Sequence, residues 1–331
     1  AAPAPFAAVR GRLLRELGPR ARRLASMEQE PLATASLAQV HRAELEDGTP
    51  VAVKVQLPGV ARQVAGDLAL LRAAAWAAER GFRGLRLQWL AREVERALRA
   101  ELDFLSEAAN MEATRRHFEH HGQIRVPATV PGLCSRGVVT MELVTGAVKP
   151  TDARALQELG VRPADVADLL AEAHAVMLFR HGFLHSDLHP GNVLVSAEHT
   201  AGGRPRWLQW LRHPKARQPA AGGLGGRLGA RRPVIHLLDH GLYCPLDREM
   251  RLLLCQLWLA LGAGDGARLR AACQALGARD ELHSRFYPLL FEGDPHAQLR
   301  AWKCIPKDEK SALMAHVELK KQQEGGVVKE A

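Results

Sequence analysis

Polar and apolar positions alternate along Val51-Ala52-Val53-Lys54-Val55-Gln56, the period of a β-strand, and Asp47-Gly48 just before it is a hairpin turn signal. Upstream, Pro31 to Leu45 reads as strand, small-residue loop and strand, with Ala33-Thr34-Ala35-Ser36 as the loop. Elsewhere the period is helical. It predicts helices over residues 6–25 (ended near Gly18-Pro19 or continued past it), over 59–80 (opened by Pro58 and closed at Gly81), and over 88–120. Pro127 to Glu142 reads as two strands around Gly132 and Gly137, the second running on through Val144 toward a hinge. Helices follow over 151–159 and 163–181, the latter with Val166, Leu169, Leu170, Ala173, Val176 and Met177 on one face. Residues 247–262 and 266–276 also read as helical. A strand-rich first part followed by a helical second part predicts an α+β fold.

The most informative stretch is His185-Ser186-Asp187-Leu188-His189-Pro190-Gly191-Asn192-Val193-Leu194-Val195. An Asp five residues before an Asn, with an apolar run after it, is the spacing of a phosphotransferase catalytic loop. In such a loop the Asp (Asp187) meets the substrate hydroxyl, the Asn (Asn192) holds a metal ion, and the apolar run returns the chain to a buried strand. Two more pieces stand in the order such enzymes use. Lys54 lies in the upstream strand, where a Lys grips the nucleotide phosphates; Leu237-Leu238-Asp239-His240-Gly241 places Asp239 where a carboxylate binds Mg²⁺. The predicted architecture is a two-lobed, protein-kinase-like fold, with a small β-rich N-lobe carrying long helices and a mainly α C-lobe. A Lys in an apolar cleft is costly without a counter-charge, so one carboxylate of Glu101-Leu102-Asp103-Phe104-Leu105-Ser106-Glu107 is expected to pair with Lys54.

Composition narrows the picture further. The chain has 331 residues, 47% hydrophobic and 24% charged, which suits a globular protein rather than a disordered one. No apolar run reaches the roughly 18 residues of a membrane-spanning helix. Five scattered Cys (134, 244, 255, 273, 304) lack paired ligand spacing and read as reduced thiols. The net charge of +9 is concentrated. Residues 196–233 carry eight basic residues against Glu198, and read as a disordered basic insertion suited to a lipid or partner contact. With the excess confined there, no specific nucleic-acid surface is expected. The chain opens on Ala, as a fragment or a processed chain does. Residues 1–27 are Arg-rich, like the remnant of an organelle transit segment or a basic helix ahead of the domain.

With these residues in hand, the chain resembles the UbiB/aarF-domain family of atypical kinase-like proteins. Ala33–Ala43, Val51–Gln56, Glu101–Ala108, and His185–Val195 with Leu238–Tyr243 carry the resemblance. The Ala-rich loop and the Glu-x-Asp helix set this family apart from ordinary protein kinases. The resemblance implies catalytic roles for Lys54, Asp187 and Glu107, with Glu107 as the helical partner of Lys54. It implies cofactor-binding roles for Ala33, Thr34, Ala35, Ser36, Val40, Lys54, Glu142, Glu101 and Asp103. Asn192 and Asp239 are the implied Mg²⁺ ligands, and ATP or ADP with Mg²⁺ the implied cofactors. Mg²⁺-dependent ATPase or phosphotransferase activity in mitochondrial coenzyme Q or lipid homeostasis follows, with a membrane lipid or quinone precursor as partner. The family's Lys-x-Gly-Gln motif does not occur, and His240 stands where kinases carry Phe. The organisation expected is a partial N-terminal extension (1–30), an N-lobe (31–148), a C-lobe (149–305) broken by the insertion, and a polar tail (306–331).

Two other readings share the motifs. A small-molecule phosphotransferase of the aminoglycoside or choline kinase kind has a similar catalytic loop, but lacks the Ala-rich loop and the Glu-x-Asp helix. A non-catalytic nucleotide-binding scaffold or fragment keeps the fold alone. His185-x-Asp187-x-His189 could converge on zinc only from a strand, and the Pro190-Gly191 that follows makes it a loop.

Overall fold

The computed structural model describes residues 3–82, 86–199, 231–263 and 265–277. Of the described residues, those up to Ala73 and those of Trp89–Pro245 form one compact unit, and those of Ala74–Gln88 with those of 246–277 form a second.

In the first unit, helix α1 (Phe6–Leu17) ends at Gly18, whose φ of 56° lies in the left-handed region, and Pro19 follows. A 3₁₀ turn over Gly18–Arg23 then feeds strand β1 (Leu24–Thr34), so of the two expected ends the helix takes the one at Gly18-Pro19 and does not continue to residue 25. Strands β2 (Ala38–Leu45) and β3 (Pro50–Gln56) follow as an antiparallel hairpin across Asp47-Gly48, where the Thr49 N–H donates to the Asp47 carboxylate. The sheet order is β1-β2-β3-β5, with β5 at Val138–Glu142. Only β5 is a strand in the region where two were expected. Residues 126–137 run beside it as a loop, touching it through isolated bridges at Thr129↔Met141 and Ser135↔Val138.

Strand alternation divides this sheet into two faces. Val51, Val53, Val55 and Val138 pack under α1 through Val9, Leu13 and Leu17. Residues 6–23, expected as part of an extension, therefore share a core with the sheet. Polar clamps hold α1 in place: Arg12 donates to Gln56 Oε1 (2.9 Å), and Ser135 donates to Glu16 (2.9 Å). The opposite face, with Ala38, Ala52, Val139 and Met141, joins the main core of the unit.

Helix α2 (Val60–Gly81) begins in this unit and packs Val60, Val64 and Leu68 against Val94 and Leu98 of α3 (Gln88–Glu101). The single helix expected over 88–120 is broken. Asp103 is non-helical (φ −104°, ψ 89°), and its carboxylate accepts from the Leu105 N–H and from Ser106 Oγ, capping a new helix α4 (Phe104–His117). Phe104 and Met111 of α4 are fully buried.

A short strand β4 (Ile124–Arg125), α5 (Ala153–Glu158) and α6 (Pro163–Ala175) come next. The last turn before Gly182 widens to a π-helix over Val176–His181. Strand β6 (Phe183–His185) leads into the catalytic-loop sequence, and β7 (Val193–His199) leaves it. β7 pairs antiparallel with β8 (Arg231–Leu237), from Val193↔Leu237 out to His199↔Arg231. Residues 196–199 and 231–233 are therefore ordered strand, a correction to the insertion's expected limits; its remainder and the 306–331 tail lie outside the described residues. β4 adds to β8 in parallel, and β9 (Tyr243–Pro245) pairs with β6.

In the second unit, α7 (Arg248–Ala263) and α8 (Gly266–Ala275) pack through Leu257, Ala272 and Cys273. Asp265 caps α8 by accepting from the Ala267 and Arg268 N–H groups.

Candidate active site

Lys54 sits in the centre of β3, on the sheet face that looks into the main core, paired in register with Val40 and Val139. Its ammonium lies 2.7 Å from Glu107 Oε1 and 3.1 Å from Asp239 Oδ1, and 5.1 Å above the Phe104 ring. Burial works against its charge, but the two carboxylates outweigh burial and hold its pKa above the ordinary lysine value. Of the three carboxylates offered by the Glu101–Glu107 stretch, Glu107 is the one that pairs. Burial pushes its carboxyl upward, and the Lys54 ammonium opposes that.

The Asp239 side chain accepts from Lys54 and from the Gly241 N–H (3.2 Å), both on Oδ1. Burial would raise its pKa, but the Lys54 charge and these hydrogen bonds bring it below the ordinary range, so it is a carboxylate at neutral pH. His185, 2% exposed, ties this segment to the loop that carries Asp187. Its Nδ1 accepts the Asp187 N–H (3.2 Å), so its Nε2 carries the proton and donates to the Asp239 carbonyl. Burial keeps this imidazole neutral by lowering its pKa.

The loop itself is held from within. Asn192 Nδ2 donates to the Asp187 carbonyl (3.1 Å), which turns the amide oxygen the other way. The Leu238 N–H donates to the Asn192 carbonyl (3.0 Å), locking the loop to the Asp239 segment. His189 Nδ1 accepts the Gly191 N–H (2.9 Å); a Cβ at Gly191 would lie 2.6 Å from the His189 ring, so the turn needs glycine unless that ring moves. The Asp187 carboxylate is exposed, with His189 Nε2 3.9 Å away. Glu101, at the end of α3, faces the same centre. Burial and then the charges of Asp239 and Asp187 push its carboxyl up, with Lys54 opposing.

The structure thus brings together Lys54, Glu107, Asp187, Asn192, Asp239 and Glu101. Asp103 is a helix cap, with its recorded bonds to Leu105 and Ser106. Ala33, Thr34, Ala35 and Ser36 form the exposed tip of the β1–β2 hairpin, closed by the Ala35 N–H donating to the Ala38 carbonyl (2.8 Å). Among the described residues no non-glycine residue has a positive φ, so this tip turns without the left-handed geometry a Gly-rich loop uses. Val40 packs on the cleft face beside Ala52 and Met141. Glu142 is the last residue of β5, paired with Val51. Its side chain lines, with Arg115, His121, Arg125, Ser196 and His236, a cavity of about 560 Å³. Its N–H is taken by the Ala128 carbonyl (2.9 Å).

Comparison with known proteins places this arrangement. The model of the ABC1 atypical kinase-like domain matches residues 1–273. The chain belongs to the ABC1 atypical kinase-like family. AarF domain-containing protein kinase 1 of Xenopus tropicalis is 35% identical to this ABC1 chain over 278 residues, 84% of the chain and 46% of the relative. The Drosophila melanogaster AarF domain-containing kinase 1 is 34% identical over 261 residues, 79% of the chain and 44% of the relative. The chain thus spans less than half the length of these relatives. The solved complex of Rv3197 with erythromycin from Mycobacterium tuberculosis matches with a TM-score of 0.59 at 25% identity, covering 81% of this chain and 59% of that one. The kinase-like α+β fold expected from the motifs is the fold of the ABC1 domain.

Reading along the ABC1 sequence missed three groups that the structure places at the site. Asn110 Nδ2 donates to the His240 carbonyl (3.0 Å), Thr114 Oγ donates to Tyr243 Oη (2.9 Å), and Gln56 Nε2 donates to the Leu102 carbonyl (3.1 Å). Asn110 and Thr114 stand three and seven residues after Glu107, on the same helix face, and that spacing was the available signal. No helix among the described residues is long and apolar enough to cross a membrane.

Proposed function

We propose that this ABC1-family protein binds a magnesium nucleotide in the cleft over Lys54 and acts on its terminal phosphoryl group, as an ATPase or a phosphotransferase. One observation carries the reading: a single buried ammonium is held between the Glu107 and Asp239 carboxylates at 2.7 and 3.1 Å. Holding a lysine between a helical glutamate and a metal-binding aspartate is how a phosphoryl-transfer site prepares for phosphates.

The residues present suit magnesium. Asp239, the outward amide oxygen of Asn192 and Glu101 are oxygen donors, which hard cations prefer. No cluster of three or more His, Cys, Asp or Glu among the described residues could hold a metal by itself. That fits an ion that takes one or two protein carboxylates and completes its shell with phosphate oxygens and water. When bound, the magnesium nucleotide supplies the reacting phosphoryl group and the positive charge that neutralises it.

The chain's own residues have distinct tasks. Lys54 binds the inner phosphates, and Glu107 keeps it aligned. Val40, Ala52 and Met141 offer an apolar surface to the base. Asp187, exposed at the loop, orients the attacking hydroxyl or water. Neutral His185 fixes the distance between Asp187 and Asp239 by bonding both backbones. From the family resemblance we place the protein in mitochondria, with a membrane lipid or quinone precursor as acceptor or partner.

Thermal shift on the purified chain tests the reading, using ATP and ADP with and without Mg²⁺. The expected result is a Mg²⁺-dependent stabilisation that is lost in Asp239→Asn and in Lys54→Ala. A folded wild-type protein with no shift under any of these conditions overturns it.

A further inference from the structure

One face of α4 touches three parts of the site in succession. Glu107 holds Lys54, Asn110 donates to the His240 carbonyl at 3.0 Å, and Thr114 donates to the Tyr243 hydroxyl at 2.9 Å. The Thr114 contact belongs to a hydrogen-bonded chain whose direction can be read off. His240 Nε2 lies 3.0 Å from the Leu237 carbonyl, which can only accept, so Nε2 carries the proton. His240 Nδ1 is then bare and accepts from the Tyr243 hydroxyl at 2.8 Å. That hydroxyl in turn accepts from Thr114. Every member donates or accepts in one sense, from α4 back to the start of the Asp239 turn.

The chain closes on the segment it came from. Leu237 stands two residues before Asp239, and Tyr243 four residues after it. The His240 ring, with no exposed surface, spans the turn between them. The Tyr243 ring lies parallel to it (6° between planes, centroids 5.7 Å apart) and stacks on Phe183 of β6 (4.4 Å). Phenylalanine at 240 would fill the same space and bond neither end. Phenylalanine at 243 would keep the stacking and strand pairing, and would strip the partner from both His240 Nδ1 and Thr114. The hydroxyl therefore contributes something the ring does not. It fixes the rotation of the His240 side chain, and with it the turn that aims Asp239 Oδ1 at Lys54.

We infer that Tyr243 is a positioning residue for Asp239: its hydroxyl, through His240 and against Thr114, locks the Asp239 turn to the helix that carries Glu107. The inference rests on the proposed nucleotide reading only where magnesium is used as the probe.

The test compares the wild-type chain with Tyr243→Phe, Thr114→Val and Thr114→Ser in two measurements. The first is amide hydrogen exchange without nucleotide, followed in peptides covering 237–243 and, as a reference, 51–56. Tyr243→Phe and Thr114→Val should lose protection in 237–243 and keep it in 51–56, and Thr114→Ser, which retains the hydroxyl, should match wild type. The second is the Mg²⁺ concentration that half-saturates the ATP-dependent thermal shift. Loss of one bond in a buried network predicts a rise of about tenfold for Tyr243→Phe, with Mg²⁺-free ADP binding unchanged. Unchanged protection at 237–243 in Tyr243→Phe overturns the inference, as does protection lost equally in both peptides. A wild-type chain without any Mg²⁺ response overturns the nucleotide reading instead, and the exchange result then decides the positioning role alone.

Discussion

The Lys54 ammonium lies 2.7 Å from the Glu107 carboxylate, in a pair whose side chains are 11% and 2% exposed. A pair this buried is weak evidence of net stabilisation, because both ions lose their hydration. Removing one member is a different matter, since the other is left charged in an apolar setting. Glu107→Leu should destabilise the chain by about 3 kcal/mol, with Asp239 still close enough to Lys54 to limit the loss. Lys54→Met in the same background should recover part of it. Urea denaturation of the two single variants and the double variant measures this; strictly additive losses would show that the two residues are not coupled.

Asp103 offers a contrast to its neighbours at the site. Its carboxylate accepts from Leu105 N–H (3.2 Å) and Ser106 Oγ (3.1 Å). Asp103→Ala should cost about 1 kcal/mol, the usual value of a helix N-cap, and Asp103→Asn only a few tenths. If Asp103→Asn instead abolished Mg²⁺-dependent nucleotide binding in a protein of unchanged melting temperature, the carboxylate would have a role beyond the cap.

Gly137 tests how firmly α1 belongs to the sheet. A Cβ there would meet Glu16 Cδ and Oε1 at 3.0 Å and Arg12 Nη2 at 3.1 Å. Gly137→Ala should therefore cost about 1–2 kcal/mol through crowding. Glu16→Ala should relieve most of that, at the expense of the Ser135 hydrogen bond. A Gly137→Ala protein as stable as wild type would mean that the α1 side chains rearrange freely.

Acid should unfold this protein earlier than its carboxylates alone would dictate. Burial lowers the pKa of His240 to about 4, and lowers those of His185 and His236 as well. A histidine with a depressed folded pKa binds its proton more readily when unfolded. Its contribution is complete above about pH 6.5 and is lost as pH falls toward the folded value. For His240 the window is about 6.5 down to about 4, and its full effect is about 3 kcal/mol. Denaturant midpoints at pH 7.0, 6.0, 5.0 and 4.5, measured without Mg²⁺, should fall steadily. A midpoint flat down to pH 5 would mean that these imidazoles titrate normally.

The residue types and spacings of the chain determined a good deal by themselves. The hairpin at Asp47-Gly48, the strand with Lys54, the helix ending before Gly182 and the catalytic-loop sequence depend on local periodicity, turn chemistry and short motifs, which a linear reading contains. Local signals also carried the break at Gly18-Pro19, but the start of the strand that follows it, Leu24–Glu30, has no alternation of apolar and polar residues to mark it. What decided for the strand was pairing with β2 across the sheet. The long helix over 88–120 failed for a similar reason. Asp103 is tolerable in a helix, yet the chain stops there because the cap allows Phe104 into the core and swings Glu107 under Lys54. The insertion's flanks became strand because Val193, Val195, Val234, Ile235 and Leu237 could bury one another across the ladder. Finding the path from Thr114 through Tyr243 to His240 depended on groups up to 129 residues apart in the chain. A hydrogen bond acts over about 3 Å and carries no trace in the spacing of residues that far apart, so only the tertiary structure could decide it.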